Sequence, residues 1–223
     1  VPRRSWIVVC ALVSILSCRE EEQSTPPVPG PDRTSQSAIV AFGDSLTAGY
    51  GIGLDEAYPA RLQEILDREG YSFEVVNAGV SGDTTASGVR RLDWVLEGRE
   101  VSVLILALGA NDGLRGLPPA EMKKNLASII EAAKSRGAQV LLAGFTAPPE
   151  QKDRYLREFV SVYPELAQEH GVALMPFLLQ EVAGRSALNQ ADGRHPNGEG
   201  ARIIAENVFA HLRPLLPPPA ATP

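Results

Sequence analysis

Five apolar, β-rich runs separated by stretches of helical period constrain this chain more than any other feature. The runs are AIVAF (38–42), FEVVN (73–77), VSVLILAL (101–108), AQVLLAG (138–144) and VALMPF (172–177). Between them, Ala120–Arg136 places Met122, Leu126, Ile129, Ile130 and Ala133 on one face and stops at Gly137, while Asp153–His170 stops at Gly171. Strands this uniformly apolar have no face for solvent. Alternating with helices, they predict a parallel sheet covered on both sides, a three-layer α/β/α sandwich. In such sheets, groups that bind or react lie just beyond the carboxyl ends of the strands.

The polar, glycine-rich segments fall there. The first run leads into Gly43-Asp44-Ser45, the second into Asn77-Ala78-Gly79-Val80-Ser81-Gly82-Asp83, and the third into Gly109-Ala110-Asn111-Asp112-Gly113. Beyond the fifth comes Asp192-Gly193-Arg194-His195-Pro196. Ser45 can cap the turn that follows it or act as a nucleophile, and the residues around it leave both readings open. A nucleophilic serine needs a base, and there are three histidines. His170 sits at a helix end, where the helix dipole accounts for it. His211 lies off the Ile204–Val208–Leu212 stripe of the last helical stretch, which predicts a solvated side chain. His195, in a polar loop with no packing role, is left as the base.

Asp192, three residues before His195, either forms a turn with Gly193 or orients the imidazole and stabilises its protonated form. Acyl transfer also needs donors for an oxyanion; the Ser45 N–H, the Gly82 N–H and the Asn111 side-chain amide are candidates. Gly82 serves equally as a helix start capped by Asp83 or Thr84, and Asn111 equally as a turn former. Asp44 and Asp112 read as braces of their own loops. Gly49-x-Gly51-x-Gly53 lacks the spacing of a phosphate loop, and no ligand cluster indicates a metal or other cofactor.

Taken together and in order, GDS after the first run, the glycine loop after the second, GxND after the third and DxxH before the last helix resemble the SGNH (GDSL-type) hydrolase family. GDSLTAGYG, SGDTT and ANDGLRGLP are similar to its bacterial secreted arylesterase, acyl thioesterase and lysophospholipase branch. The resemblance covers residues 38–213. It implies a flavodoxin-like sheet of strand order 2-1-3-4-5, Ser45 as nucleophile, Asp192 and His195 as its partners, and Ser45, Gly82 and Asn111 as the oxyanion hole. It further implies cofactor-free hydrolysis of carboxylic esters or thioesters through an acyl-serine. Leu114, Phe145, Phe177 and Leu178 are candidate walls of an acyl groove, within loops 113–117 and 145–149 and just past the fifth run. Two other readings are an O-acetylesterase acting on envelope carbohydrate and a non-catalytic lipoprotein that binds lipid or sugar.

The chain ends read differently from the body. VPRRSWIVVCALVSILSC pairs two arginines with an apolar run that is too short to span a bilayer, the pattern of a secretory leader over residues 1–17. Ile15-Leu16-Ser17-Cys18 resembles a lipoprotein cleavage box, which makes Cys18 the expected lipidation site. Both cysteines, Cys10 and Cys18, lie in this stretch, so cysteine chemistry is not expected downstream. Residues 18–37, with four prolines and little to bury, read as a flexible tether, and residues 214–223 as a proline-rich tail. Without the leader, 19 basic face 27 acidic side chains, with no basic stripe. That excludes nucleic acid as a natural partner and leaves the lipid as the only expected membrane contact. A small-molecule ester substrate, a monomeric state and a periplasmic or outer-membrane-anchored location complete the expectation.

Overall fold

The computed structural model describes residues 37–146 and 153–219. The predicted leader, Cys18, nearly all of the tether, Ala147 to Pro149 and the last four residues lie outside them.

Five parallel strands form one sheet: β1 (Ala38–Gly43), β2 (Glu74–Gly79), β3 (Val101–Ala107), β4 (Gln139–Ala143) and β5 (Ala173–Met175). Their spatial order is β2-β1-β3-β4-β5, the order that the family resemblance implies. The pleat explains why the strands are apolar throughout. Val40, Phe42, Leu104, Leu106, Val140 and Leu142 face one hydrophobic cluster, whereas Ile39, Ala41, Val103, Ile105, Leu141 and Ala143 face another. Helices α3 (Thr85–Leu96), α5 (Pro119–Ser135) and α6 (Arg154–His170) cover the first face; α2 (Tyr58–Arg68) and α7 (Gly198–Leu212) cover the second. Two short helices, α1 (Ser45–Ala48) and α4 (Ala110–Leu114), follow β1 and β3 directly.

Local chemistry sets the element ends. Asp153 caps α6 by accepting the Tyr155 N–H, and Gly171 closes it in the left-handed conformation at φ 60°. The fifth strand is shorter than its apolar run because Pro176 has no N–H to continue the ladder. The second starts one residue later than its run and extends to Gly79, since Gly79 still pairs with Gly43. The C-terminal boundary also differs from expectation. Arg213–Leu215 form a 3-10 turn, Leu215 and Leu216 pack on the second cluster, and the Leu215 carbonyl accepts the Gln139 amide at 2.7 Å. Burial of two leucines outweighs the local proline preference, and the packed body runs past Arg213.

Register prepares the site. Gly43 pairs with Gly79 on one side and Ala107 on the other, so three strands end level and release their loops side by side. Gly43 is needed for close approach: a Cβ there would meet Thr47 Oγ1 at 2.0 Å, where α1 folds back on the strand end. Gly109 is needed for its backbone, at φ 119°, and for the Tyr163 phenol, which donates to the Leu108 carbonyl at 3.1 Å. Among the described residues no helix is long and apolar enough to cross a membrane.

Candidate active site

The nucleophile position is built by a cap. Asp44, almost fully buried, accepts the Leu46 N–H at 3.0 Å through Oδ1 and so starts α1 at Ser45. As the first helical residue, Ser45 has a backbone N–H with no intrahelical acceptor. Burial pushes the Asp44 carboxyl up from 3.8 to about 6, against the Leu46 hydrogen bond and the nearby His195, which both favour the anion; Asp83 adds to the rise.

His195 arrives from the loop ahead of α7. Its Nε2 lies 3.0 Å from Ser45 Oγ, across 150 residues of sequence, and its Nδ1 lies 2.6 Å from Asp192 Oδ2. Asp192 Oδ1 also accepts the backbone N–H groups of Arg194 at 2.9 Å and His195 at 3.0 Å. One carboxylate therefore shapes the turn and meets the ring, so the two readings of Asp192 are compatible. These hydrogen bonds, the imidazole's first, hold the Asp192 carboxyl well below the usual carboxylate range.

The β2–α3 and β3–α4 loops form the other side. Gly82 adopts φ 85°, and Thr84 is the residue that caps α3. Asn111 Nδ2 donates to the Asp83 carbonyl at 2.9 Å and, less closely, to Asp44 Oδ2 at 3.3 Å. Asp112 departs from expectation. It braces a different loop from its own, taking the Thr85 N–H at 2.9 Å and the Thr85 hydroxyl at 2.6 Å. Asn125 donates to the same hydroxyl at 3.1 Å, so this buried carboxylate ties the Asn111 loop to the start of α3.

Ser45 and His195 open onto a cavity of about 600 Å³. Of the four proposed wall residues, Leu114 and Phe145 line it. Phe177 and Leu178 do not. Phe177 contacts the Phe145 ring at 6.4 Å between centroids, and Leu178 is buried in the second core cluster. Strand β5 ends before both, so the chain turns and offers Leu179 to the cavity instead. Tyr155, Leu156 and Phe159 of α6 also line it. The sequence places a helix over Asp153–His170 and singles out none of these three residues. His170 lies 4.0 Å from Glu131. His211 is half-buried rather than solvated, with Nδ1 2.8 Å from the Asn207 carbonyl, because the last turn of α7 brings it over its own backbone.

Several supporting residues gave no sequence signal. Arg91 pairs with Asp83 at 2.6 Å, donates to the Gly43 carbonyl at 3.0 Å and lies 4.0 Å over the Phe42 ring. It thus joins the loop of Gly82 to the strand end before Ser45. The Tyr50 ring sits 4.7 Å from the His195 imidazole, and Gln190 donates to the Tyr50 carbonyl at 2.6 Å and the Pro196 carbonyl at 2.9 Å. Arg115 donates to the Gly82 carbonyl at 2.9 Å.

Residues 41–203 match the GDSL-like Lipase/Acylhydrolase family. The chain belongs to that family. Esterase TesA of Pseudomonas aeruginosa is 41% identical to this GDSL hydrolase over 186 residues, 82% of this chain and 92% of the relative. An arylesterase of Vibrio mimicus is 38% identical, covering 78% and 87% of the two chains. Thioesterase 1/protease 1/lysophospholipase L1 of Escherichia coli is 36% identical, covering 80% and 84%. A crystal structure of TesA superposes with a TM-score of 0.76 over 81% of the GDSL hydrolase and all of that chain. The psychrotrophic esterase EstA from Pseudoalteromonas, inhibited by monoethylphosphonate, gives 0.75 at 32% identity, over 80% and 97%. The GDSL hydrolase is accordingly an ester-cleaving enzyme acting on small molecules.

Proposed function

We propose that this enzyme hydrolyses carboxylic esters and thioesters of short-to-medium acyl chains, aryl esters among them, through an acyl intermediate on Ser45. The carrying observation is the continuous chain Ser45 Oγ–His195 Nε2–His195 Nδ1–Asp192 Oδ2, at 3.0 and 2.6 Å, at the edge of a largely apolar cavity. His195 takes the Ser45 proton as Oγ attacks the acyl carbon, and Asp192 holds the ring with Nε2 towards the serine and stabilises the imidazolium. The tetrahedral oxyanion is met by the Ser45 and Gly82 N–H groups and by Asn111. Of the two Asn111 hydrogen bonds, the 3.3 Å one to Asp44 is the weaker and is exchanged for the oxyanion, while the 2.9 Å bond to Asp83 keeps the amide oriented. His195 then gives the proton to the leaving oxygen or sulfur. In the second half it takes a proton from water, which attacks the acyl-serine and releases the acid.

The aromatic and aliphatic wall of Leu114, Phe145, Leu156 and Phe159 suits an acyl chain better than a sugar ring, which favours this reading over carbohydrate deacetylation. Export through residues 1–17 and lipid anchoring at Cys18 belong to the same reading, and mass spectrometry of the native N-terminus tests them. A fluorophosphonate probe tests the chemistry. The protein labels stoichiometrically, whereas Ser45→Ala loses labelling and ester hydrolysis with an unchanged circular-dichroism melt. Labelling that survives in Ser45→Ala refutes the assignment.

A further inference from the structure

Asp192 and Ser45 occupy the two nitrogens of the His195 imidazole and leave the rest of the ring to other neighbours. The Tyr50 ring is one of them, its centroid 4.7 Å from that of the imidazole and its plane tilted by 42°. Among the described residues no other histidine makes a ring contact. Core packing does not explain this tyrosine. Tyr50 is 54% exposed and belongs to neither hydrophobic cluster, whereas Tyr58, Tyr71 and Tyr163 are buried. Exposure alone assigns nothing, because Leu54 and Trp94 are more exposed still; contact with the proton-transferring ring sets Tyr50 apart.

The chain holds Tyr50 in place from both sides. Its N–H donates to the Ser45 carbonyl at 3.1 Å, and its carbonyl accepts the Gln190 side-chain amide at 2.6 Å. The same amide donates to the Pro196 carbonyl at 2.9 Å, and the Gln190 N–H donates to the His195 carbonyl at 2.8 Å. Nucleophile, tyrosine and base loop are therefore tied together. Gly51 is needed for the approach, since a Cβ there would meet Gln190 Oε1 at 2.2 Å. Tyr50 is not among the residues that line the cavity, so its route to the reaction runs through the imidazole rather than through substrate.

We infer that Tyr50 is a positioning residue for the proton transfer: its ring holds the imidazole towards Ser45 and stabilises the imidazolium that forms as Oγ attacks. The inference rests on the acyl-serine reading above. A cation within about 6 Å of an aromatic centroid is attracted by the ring's π electrons, and the imidazolium forms inside that range. The charge exists only once the proton has moved, so the contact strengthens on the way to the transition state. Asp192 and Arg194 in the same loop and Asp44 before α1 are the charged groups around the ring, and all three remain when Tyr50 is changed.

The test uses three variants of the full-length protein: Tyr50→Phe keeps the ring, Tyr50→Leu keeps bulk without π electrons, and Tyr50→Ala removes both. One readout is the pH profile of kcat/KM on a p-nitrophenyl ester, whose acidic limb marks loss of the neutral imidazole. Tyr50→Phe keeps the parent's limb. In Tyr50→Leu and Tyr50→Ala the limb moves to lower pH by about half a unit, because the imidazolium has lost a stabilising neighbour. At pH 8, kcat falls about threefold in Tyr50→Leu and further in Tyr50→Ala, with KM little changed. The second readout needs no turnover. In a Ser45→Ala background, the NMR titration of the His195 Cε1–H, identified by its loss in His195→Gln, moves down by the same half unit when Tyr50→Leu is added. A titration left unchanged by both Tyr50→Leu and Tyr50→Ala overturns the inference even where kcat falls, since a packing role lowers rates without moving it. An equal shift in Tyr50→Phe also overturns it, by assigning the effect to the phenol instead of the ring. If the titration moves as expected but the parent protein cleaves no ester and takes up no phosphonate label, the acyl-serine reading fails and the imidazole contact stands.

Discussion

Replacing Asp44 by Asn isolates the energetic consequence of placing a buried carboxylate directly before the nucleophile. Asp44 is 1% exposed, and its carboxyl is raised from 3.8 to about 6. Between those two values the folded protein binds a proton that the unfolded chain has released. The folded state therefore loses stability as pH rises through the interval, with no further change above it. At about 1.4 kcal/mol per pH unit, the penalty is about 3 kcal/mol above pH 7 and only about 1 kcal/mol at pH 4.5. Asparagine has no ionisation to lose, and its Oδ1 can still accept the Leu46 N–H. Its amide faces the Asn111 amide as a second donor, which costs stability but without a pH dependence. The stability of Asp44→Asn minus that of the parent is thus expected to rise by about 2 kcal/mol from pH 4.5 to pH 8, whatever its absolute value.

Urea denaturation at half-unit pH steps measures it. His195 and Asp83 are the charged neighbours that couple to Asp44, and repeating the series in a His195→Gln background removes the imidazole's share. A difference that stays level across the range, or that falls as pH rises, refutes the reasoning.

Two further outcomes follow from the loops around the site. Asn111→Ala is expected to lower kcat by about 10²- to 10³-fold with little change in KM, because its amide serves the charge that develops during attack; steady-state kinetics on a p-nitrophenyl ester check it. Arg91→Ala leaves the half-buried Asp83 carboxylate unpaired and removes the ring contact to Phe42, at an expected cost of about 2–3 kcal/mol in urea denaturation, with an increase in KM or fall in kcat as the Gly82 loop loosens.

The layered sheet was legible because its cause is local and repetitive. Runs such as AIVAF and VSVLILAL are apolar at every position, and only a strand buried on both faces makes use of that. His195 was legible by elimination among three histidines, whereas Ser45 and Asp192, which read equally well as cap and turn residues, were singled out only by the ordered resemblance of the four loops. Leu178 shows where this kind of reading stops. Periodicity says that a leucine past β5 is buried, but whether it faces a cavity or a core depends on where the chain turns after Pro176.

The amino-acid sequence by itself determined the alternation of elements, the caps at Asp44, Asp153 and Gly171, and the polar loops at the carboxyl ends of the strands, since all of these follow from interactions within a few residues. Only the tertiary structure decided which partners those loops acquire. Asp112 reaches Thr85, Arg91 joins Asp83 to Gly43, and Gln190 reaches Tyr50. Apart from Arg91–Asp83, eight residues apart, these contacts span 27 to 140 residues, and they are set by strand register and loop path, which no local pattern encodes.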